Sequence, residues 1–170
     1  MSRFLRIASL CLLVAFVGFG CSKSTTELIQ QGKDLLDKSE NNTALVVFLS
    51  AVQSDPKSVN ARIGLGTALE ATGDLAGAEQ SYRRALDLGG NEDELVPKIA
   101  LLLMDRGDNA ILIKDFADRE LSHPDADSEL RGIVALAELG LKHKDKAEDQ
   151  LAKAKVKGPA VRLAKAQMAI

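Results

Sequence analysis

The chain is poor in the residues that carry most protein chemistry. Of its 170 residues, two are cysteine, two histidine, one tyrosine, four proline and none tryptophan. His123 and His143 stand in different turns of different units, with no acid or cysteine at ligand or triad spacing, so each reads as a solvated turn residue. A glycine-rich phosphate loop is missing too: Gly64-Leu65-Gly66 lies inside a helical pattern and follows no strand. No enzyme reading has a constellation to stand on, and no cofactor or metal is called for. Nor is there an excess of charge of either sign, with 24 acidic against 22 basic side chains, so nothing attracts nucleic acid. The longest apolar run reaches only from Ile7 to Gly20 and is too short to span a bilayer comfortably.

What the chain does have is a period. Asn60 to Leu88 reads as two amphipathic helices joined by a tight Gly73-Asp74 turn, with Leu65-Gly66 and Leu69 in the first helix and Ala78, Tyr82 and Ala85 in the second. Subtracting 34 from Gly66, Ala78, Tyr82 and Ala85 gives Gly32, Ala44, Phe48 and Ala51. Adding 34 gives Ala100, Leu112, Phe116 and Arg119, and Gly73 maps to Gly107. A fourth copy, Ala135, Ala147, Leu151 and Ala154, fits with one residue inserted near Asp127. Pro56, Pro124 and Pro159 close the units, with Gly90 in that place after the second.

This pattern resembles the tetratricopeptide repeat, whose units are antiparallel helix pairs of this length. It implies an all-α solenoid, a right-handed superhelix, with a small residue where backbones approach and a large one beside it. A plain helical bundle has no reason to keep the register. The expected units are 25–58, 59–92, 93–126 and a degenerate 127–160, with 161–170 opening a further one.

Residues 1–20 form an export signal, with Arg3 and Arg6 ahead of the apolar run and small residues at its end. Gly18-Phe19-Gly20-Cys21 resembles a bacterial lipobox, although Gly18 and Phe19 depart from the usual aliphatic-then-small pair and the small residues Gly18 and Gly20 also suit an ordinary signal peptidase. Cys11 would leave with the signal, so Cys21 is the one cysteine of the mature chain and no internal disulfide can form. Lipidation of Cys21, with residues 21–24 as tether, accounts for that lone cysteine and predicts a membrane-surface protein. Ser22 after the cysteine implies, by the same resemblance, the outer membrane facing the periplasm. The remaining chain carries 20 basic against 24 acidic residues.

Along the chain, Thr25 or Thr26 is expected to cap a first helix ending near Lys38, and Asn42 or Thr43 a second ending at Gln53. Gly73 should be a left-handed helix stop and Asp74 the next N-cap. Glu92, Asp93 and Glu94 complement a helix dipole. Arg106-Gly107-Asp108 sits where Thr72-Gly73-Asp74 does, and so reads as repeat punctuation rather than an adhesion motif. The third second-helix, Asn109 to about Leu121, carries Leu112 and Arg119 in place of small residues, which predicts a local bend. Asp125 and Asp127 read as caps of a helix starting near Asp127, whose partner helix runs to Val156. The last helix, from Ala160, has no partner in this reading, which points to a truncated array.

By resemblance to the repeat family, the first helices of the pairs line a concave protein-binding groove, and Gln30, Lys33, Asn60, Ile63, Thr67, Glu70, Lys98, Leu101, Ile133 and Leu136 are its candidates. Plain solvated or partly packed helix faces are the competing reading for each. Gly64 and Glu94 occupy places where a carboxylate clamp needs polar or basic residues, which disfavours a chaperone-adaptor role. The runs CSKSTTELIQQGKDLL, NARIGLGTALEATGDLAGAEQSYRRALDLG and DELVPKIALLLMDRGD are similar to the N-terminal part of the PEP-CTERM system tetratricopeptide-repeat lipoproteins, the PrsT family, whose members are several times longer. That resemblance implies a non-catalytic scaffold in exopolysaccharide production and exosortase-dependent sorting. Alternatives are a pilus, secretin or outer-membrane assembly lipoprotein, or the leading domain of a longer envelope enzyme.

Overall fold

The computed structural model describes residues 23–169. They form α1 (Thr25–Asp37), α2 (Asn41–Ser54), α3 (Val59–Ala71), α4 (Leu75–Asp87), α5 (Glu92–Asp105), α6 (Asn109–Phe116), α7 (Pro124–Gly140), α8 (Lys144–Lys153) and α9 (Pro159–Met168), with no strand among the described residues. Successive helices pair as α1/α2, α3/α4, α5/α6 and α7/α8, and the pairs stack.

The period is written in the backbone. Each turn between the two helices of a pair holds one residue in the left-handed region: Ser39 (φ 60), Gly73 (φ 87), Gly107 (φ 79) and Lys142 (φ 64). The first three are evenly spaced, and the last step is longer by the one inserted residue. Each turn closes alike, the next N–H reaching back over the helix end: Glu40 to the Leu35 carbonyl (2.9 Å), Asp74 to Leu69 (2.9 Å), Asp108 to Leu103 (2.8 Å) and His143 to Glu138 (2.9 Å). This double-bonded stop satisfies the last carbonyls of the first helix and reverses the chain.

Caps differ in part from expectation. The N-cap of α1 is Ser24, not Thr25 or Thr26, and it forms a reciprocal capping box with Glu27. Glu40 precedes α2 without a side-chain bond, so neither Asn42 nor Thr43 caps it. Asp74 does cap α4, accepting from the Gly77 N–H at 2.9 Å.

In the first two units, aromatic rings occupy gaps left by glycine. A Cβ on Gly32 or Gly64 would run into the Phe48 ring, and one on Gly66 into Tyr82. Phe48 therefore sits between α1 and α3 with a glycine on either side, and both aromatics are fully buried.

The third and fourth units depart from the expected layout. Helix α6 ends at Phe116 rather than near Leu121. The Ala117 carbonyl there is taken by Arg131 Nη1 (2.8 Å) and Gln150 Nε2 (3.0 Å), both buried. The chain then runs without regular structure to His123. Leu121 donates its N–H to Asp127 Oδ1 (3.1 Å), while Ser122 and His123 donate theirs to Asp93 Oδ1 (2.9 and 3.1 Å). Asp127 thus ties down the preceding loop instead of capping. Helix α7 starts before it, at Pro124, and its N-cap is His123. Arg119 lies after α6 and pairs with Glu92 at 2.6 Å, so it takes no part in helix packing. His143 is more than a solvated turn residue, because its Nδ1 lies 2.7 Å from the carboxylate of buried Glu138. Helix α9 is not without a partner: it lies along α7 and touches α8, with Ala160, Val161 and Ala164 buried.

Candidate functional site

Which side is the inner one follows from the contacts. Among described helices, the backbone of the first member of a pair comes within 8 Å (Cα to Cα) of the first member of the next at α1–α3, α5–α7 and α7–α9, whereas the backbones of α2, α4, α6 and α8 stay farther than that from one another. The first helices therefore crowd together on the inner side and the second helices splay on the outer one.

One inner contact is missing. No Cα of α3 comes within 8 Å of a Cα of α5. One repeat position differs there from the preceding unit. Gly64 lets α3 close on Phe48, and one repeat later the equivalent residue is Lys98. Its ammonium lies 5.7 Å from the centroid of the Tyr82 ring. The charge there gains a cation–π contact.

Around that opening the structure brings together three of the candidate groove residues, Thr67, Glu70 and Lys98. Tyr82 on α4 reaches between them. Its hydroxyl donates to Glu70 Oε2 (3.0 Å) and lies 3.1 Å from Thr67 Oγ1. Burial pushes the phenol well above its ordinary range, and the charges of Glu70 and Glu94 push it the same way against the Thr67 hydrogen bond. The site thus offers an exposed carboxylate, a half-buried ammonium and a neutral hydroxyl held between α3 and α4.

The other candidates divide. Gln30 and Lys33 are exposed on α1, with Gln30 donating to Asp34 at 2.8 Å, and Asn60 is exposed near the start of α3. Ile63 is half-buried against the core. Leu101 is 38% exposed on α5, and Leu136 on α7 lies at the edge of the core. Ile133 is fully buried and offers no surface to a partner. Helix α7 is flanked by both α5 and α9.

Met104, Leu139 and Leu163 are not among those candidates. Together with Leu136, they line an apolar hollow between α5, α7 and α9. The signal for two of them was in the register: Met104 is the repeat equivalent of Glu70, and Leu139 follows in the next unit. The inner face accordingly changes character along the array. At the Lys33 position the repeats carry Thr67, Leu101 and Leu136, polar at one end and apolar at the other.

Among the described residues no three histidines, cysteines, aspartates or glutamates converge as a metal site. No described helix is long and apolar enough to cross a membrane. Cys21 and the signal segment 1–20 lie outside the described residues.

Comparison with known proteins agrees with this geometry. A tetratricopeptide repeat family model matches residues 29–93. No curated protein matches the chain. Among solved structures, PilF of Pseudomonas aeruginosa is similar with a TM-score of 0.67 at 20% identity, over 85% of this chain and 67% of that one. A tetratricopeptide repeat protein from Parabacteroides merdae gives 0.72 at 22% identity, over 86% of this chain and 59% of that one. YrrB, described as a tetratricopeptide-repeat protein with an unusual peptide-binding site, gives 0.50 at 14% identity, over 82% and 90%. By fold the described chain is a tetratricopeptide-repeat solenoid, and over residues 29–93 its sequence matches that family.

Proposed function

We propose that this chain is a protein-interaction scaffold of a bacterial envelope, held at the outer membrane by a lipid on Cys21 and serving exopolysaccharide production and PEP-CTERM protein sorting. One observation carries the scaffold reading. The inner face carries a polar opening at Thr67, Glu70 and Lys98 and an apolar hollow at Met104, Leu136, Leu139 and Leu163. Such a surface suits an extended or helical protein segment that places polar groups at one end and apolar ones at the other. The export signal, the position of Cys21 and the family resemblance support the anchoring and the pathway.

The test joins both halves. The protein is expressed in a bacterial host beside Cys21→Ser and Met104→Glu, and intact mass, membrane partitioning and cross-linked envelope partners are measured. The reading expects a lipid-sized mass increase and membrane retention for all but Cys21→Ser, and a cross-linked partner lost in Met104→Glu alone. A soluble, unmodified wild type would remove the anchor. Partners unaffected by Met104→Glu would remove the groove.

A further inference from the structure

Helix α2 is unlike every other described helix, because it carries no charged side chain from Asn41 to Ser54. Its outward face is apolar at the centre, with Val46 62% and Leu49 44% exposed, flanked by half-buried Leu45, Val47 and Val52. The repeat register shows how unusual that is. At the Val46 position the later units carry Gln80, Lys114 and Asp149, and at the Ser50 position Arg84, Asp118 and Lys153. An outer helix whose sides are all uncharged is the pattern of a helix with something lying over it.

The place of α2 beside the anchor says what that is. Thr25 Oγ1, at the start of α1, is 3.0 Å from Ser54 Oγ, at the end of α2. Cys21 precedes Thr25 by four residues, which span at most about 14 Å when extended. From Ser54 back along α2, Leu49 and Val46 follow within about 12 Å at the helical rise. A lipid on Cys21 therefore holds the bilayer surface within reach of both side chains. Charges sit only at the helix ends, Glu40 on one side and Asp55 and Lys57 on the other, so the face suits uncharged lipid rather than an anionic headgroup.

We infer that the outer face of α2 docks on the membrane surface, with Val46 and Leu49 entering the headgroup boundary. The inference rests on the anchored reading of Cys21. Two apolar side chains are a weak membrane contact alone, but the tether makes the contact intramolecular and raises the effective concentration of bilayer around them. Docking by α2 lays the outer side of the first unit on the membrane and turns the inner groove toward the periplasm.

The experiment uses the full lipidated protein in vesicles of phosphatidylcholine and phosphatidylethanolamine. With the Cys21 thiol occupied by lipid, Leu49→Cys or the Ala152→Cys variant at its repeat equivalent supplies one labelling site, and lipids brominated along the acyl chain quench a fluorophore that enters the bilayer. Expected is quenching several-fold stronger at position 49 than at 152, falling to the 152 level when Val46→Glu is added while the protein stays on the vesicles. Equal quenching at both positions in vesicle-bound protein overturns the docking and leaves the anchor standing. Self-quenching between labelled copies at position 49 without lipid quenching overturns it in favour of a self-association surface. Protein lacking the lipid mass and free of the vesicles overturns the anchor, and this inference with it.

Discussion

Tyr82 is the one tyrosine in a chain without tryptophan, so its ionisation can be followed with no overlapping signal. Its phenol is fully buried between Gly66, Thr67, Glu70 and Lys98, and its folded-state pKa is raised, first by burial. The neutral phenol is the form the fold holds. Its contribution to stability is therefore complete below the ordinary tyrosine value of about 10 and is lost as pH rises beyond it. Native protein should show no tyrosinate absorbance across the ordinary tyrosine range, whereas the urea-unfolded chain should titrate there. A native titration at the ordinary value would mean that the hydroxyl is solvated and the Thr67–Glu70 contacts are not kept in solution. Thr67, Glu70 and Lys98 were legible through register, while Tyr82 was legible only in a packing role. Register says which face a side chain is on. It does not say how far a long side chain from the neighbouring helix reaches, nor that Ile133 would be fully buried.

At the level of elements, the turns were the most legible feature, because their cause is local. Gly73 and Gly107 answer directly to a left-handed backbone. The same conformation at Ser39 and Lys142 is strained, since a Cβ there crowds the backbone. Lys142→Gly should thus raise the unfolding free energy by up to about 1 kcal/mol, measured by urea denaturation. Loss of stability instead would mean that the exposed lysine makes contacts worth more than the backbone strain. The end of α6 was not legible for the opposite reason. The carbonyl that follows it is held by Arg131 and Gln150, far along the chain, and nothing near Phe116 announces a stop. The start of α7 was likewise set by distant partners, with Asp127 drawn to Leu121 and Asp93 to Ser122 and His123.

For the whole molecule, the buried apolar side chains fall into two groups of unequal size. Ala44, Phe48, Leu65 and Ala68 form a small one in the first two units, and a larger one runs from Ala78 to Ala164, with Leu69 against both. In an array whose units contact only their neighbours, local opening follows local burial. Amide hydrogen exchange should therefore be faster in α1 and α2 than in α5 and α7. Equal protection would show that the array opens as one cooperative unit. The helical-repeat fold was readable because a constant step recurs whatever the neighbours do. Of the two residues behind the bend expected in the third unit, Leu112 is fully buried and Arg119 lies beyond the end of α6.

The gap between α3 and α5 has a mechanical side. Between the first four helices and the last five, backbone proximity runs through α4 and α5 alone. Side chains brace the joint: Arg83 to Asp115 at 2.7 Å, and Arg106 to Glu79. Any pull between the two halves is carried in series across that joint. Partly exposed ion pairs are screened by salt, so their share of the joint's stiffness falls as the ionic strength around it rises, leaving the apolar contact of α4 with α5 to carry the load.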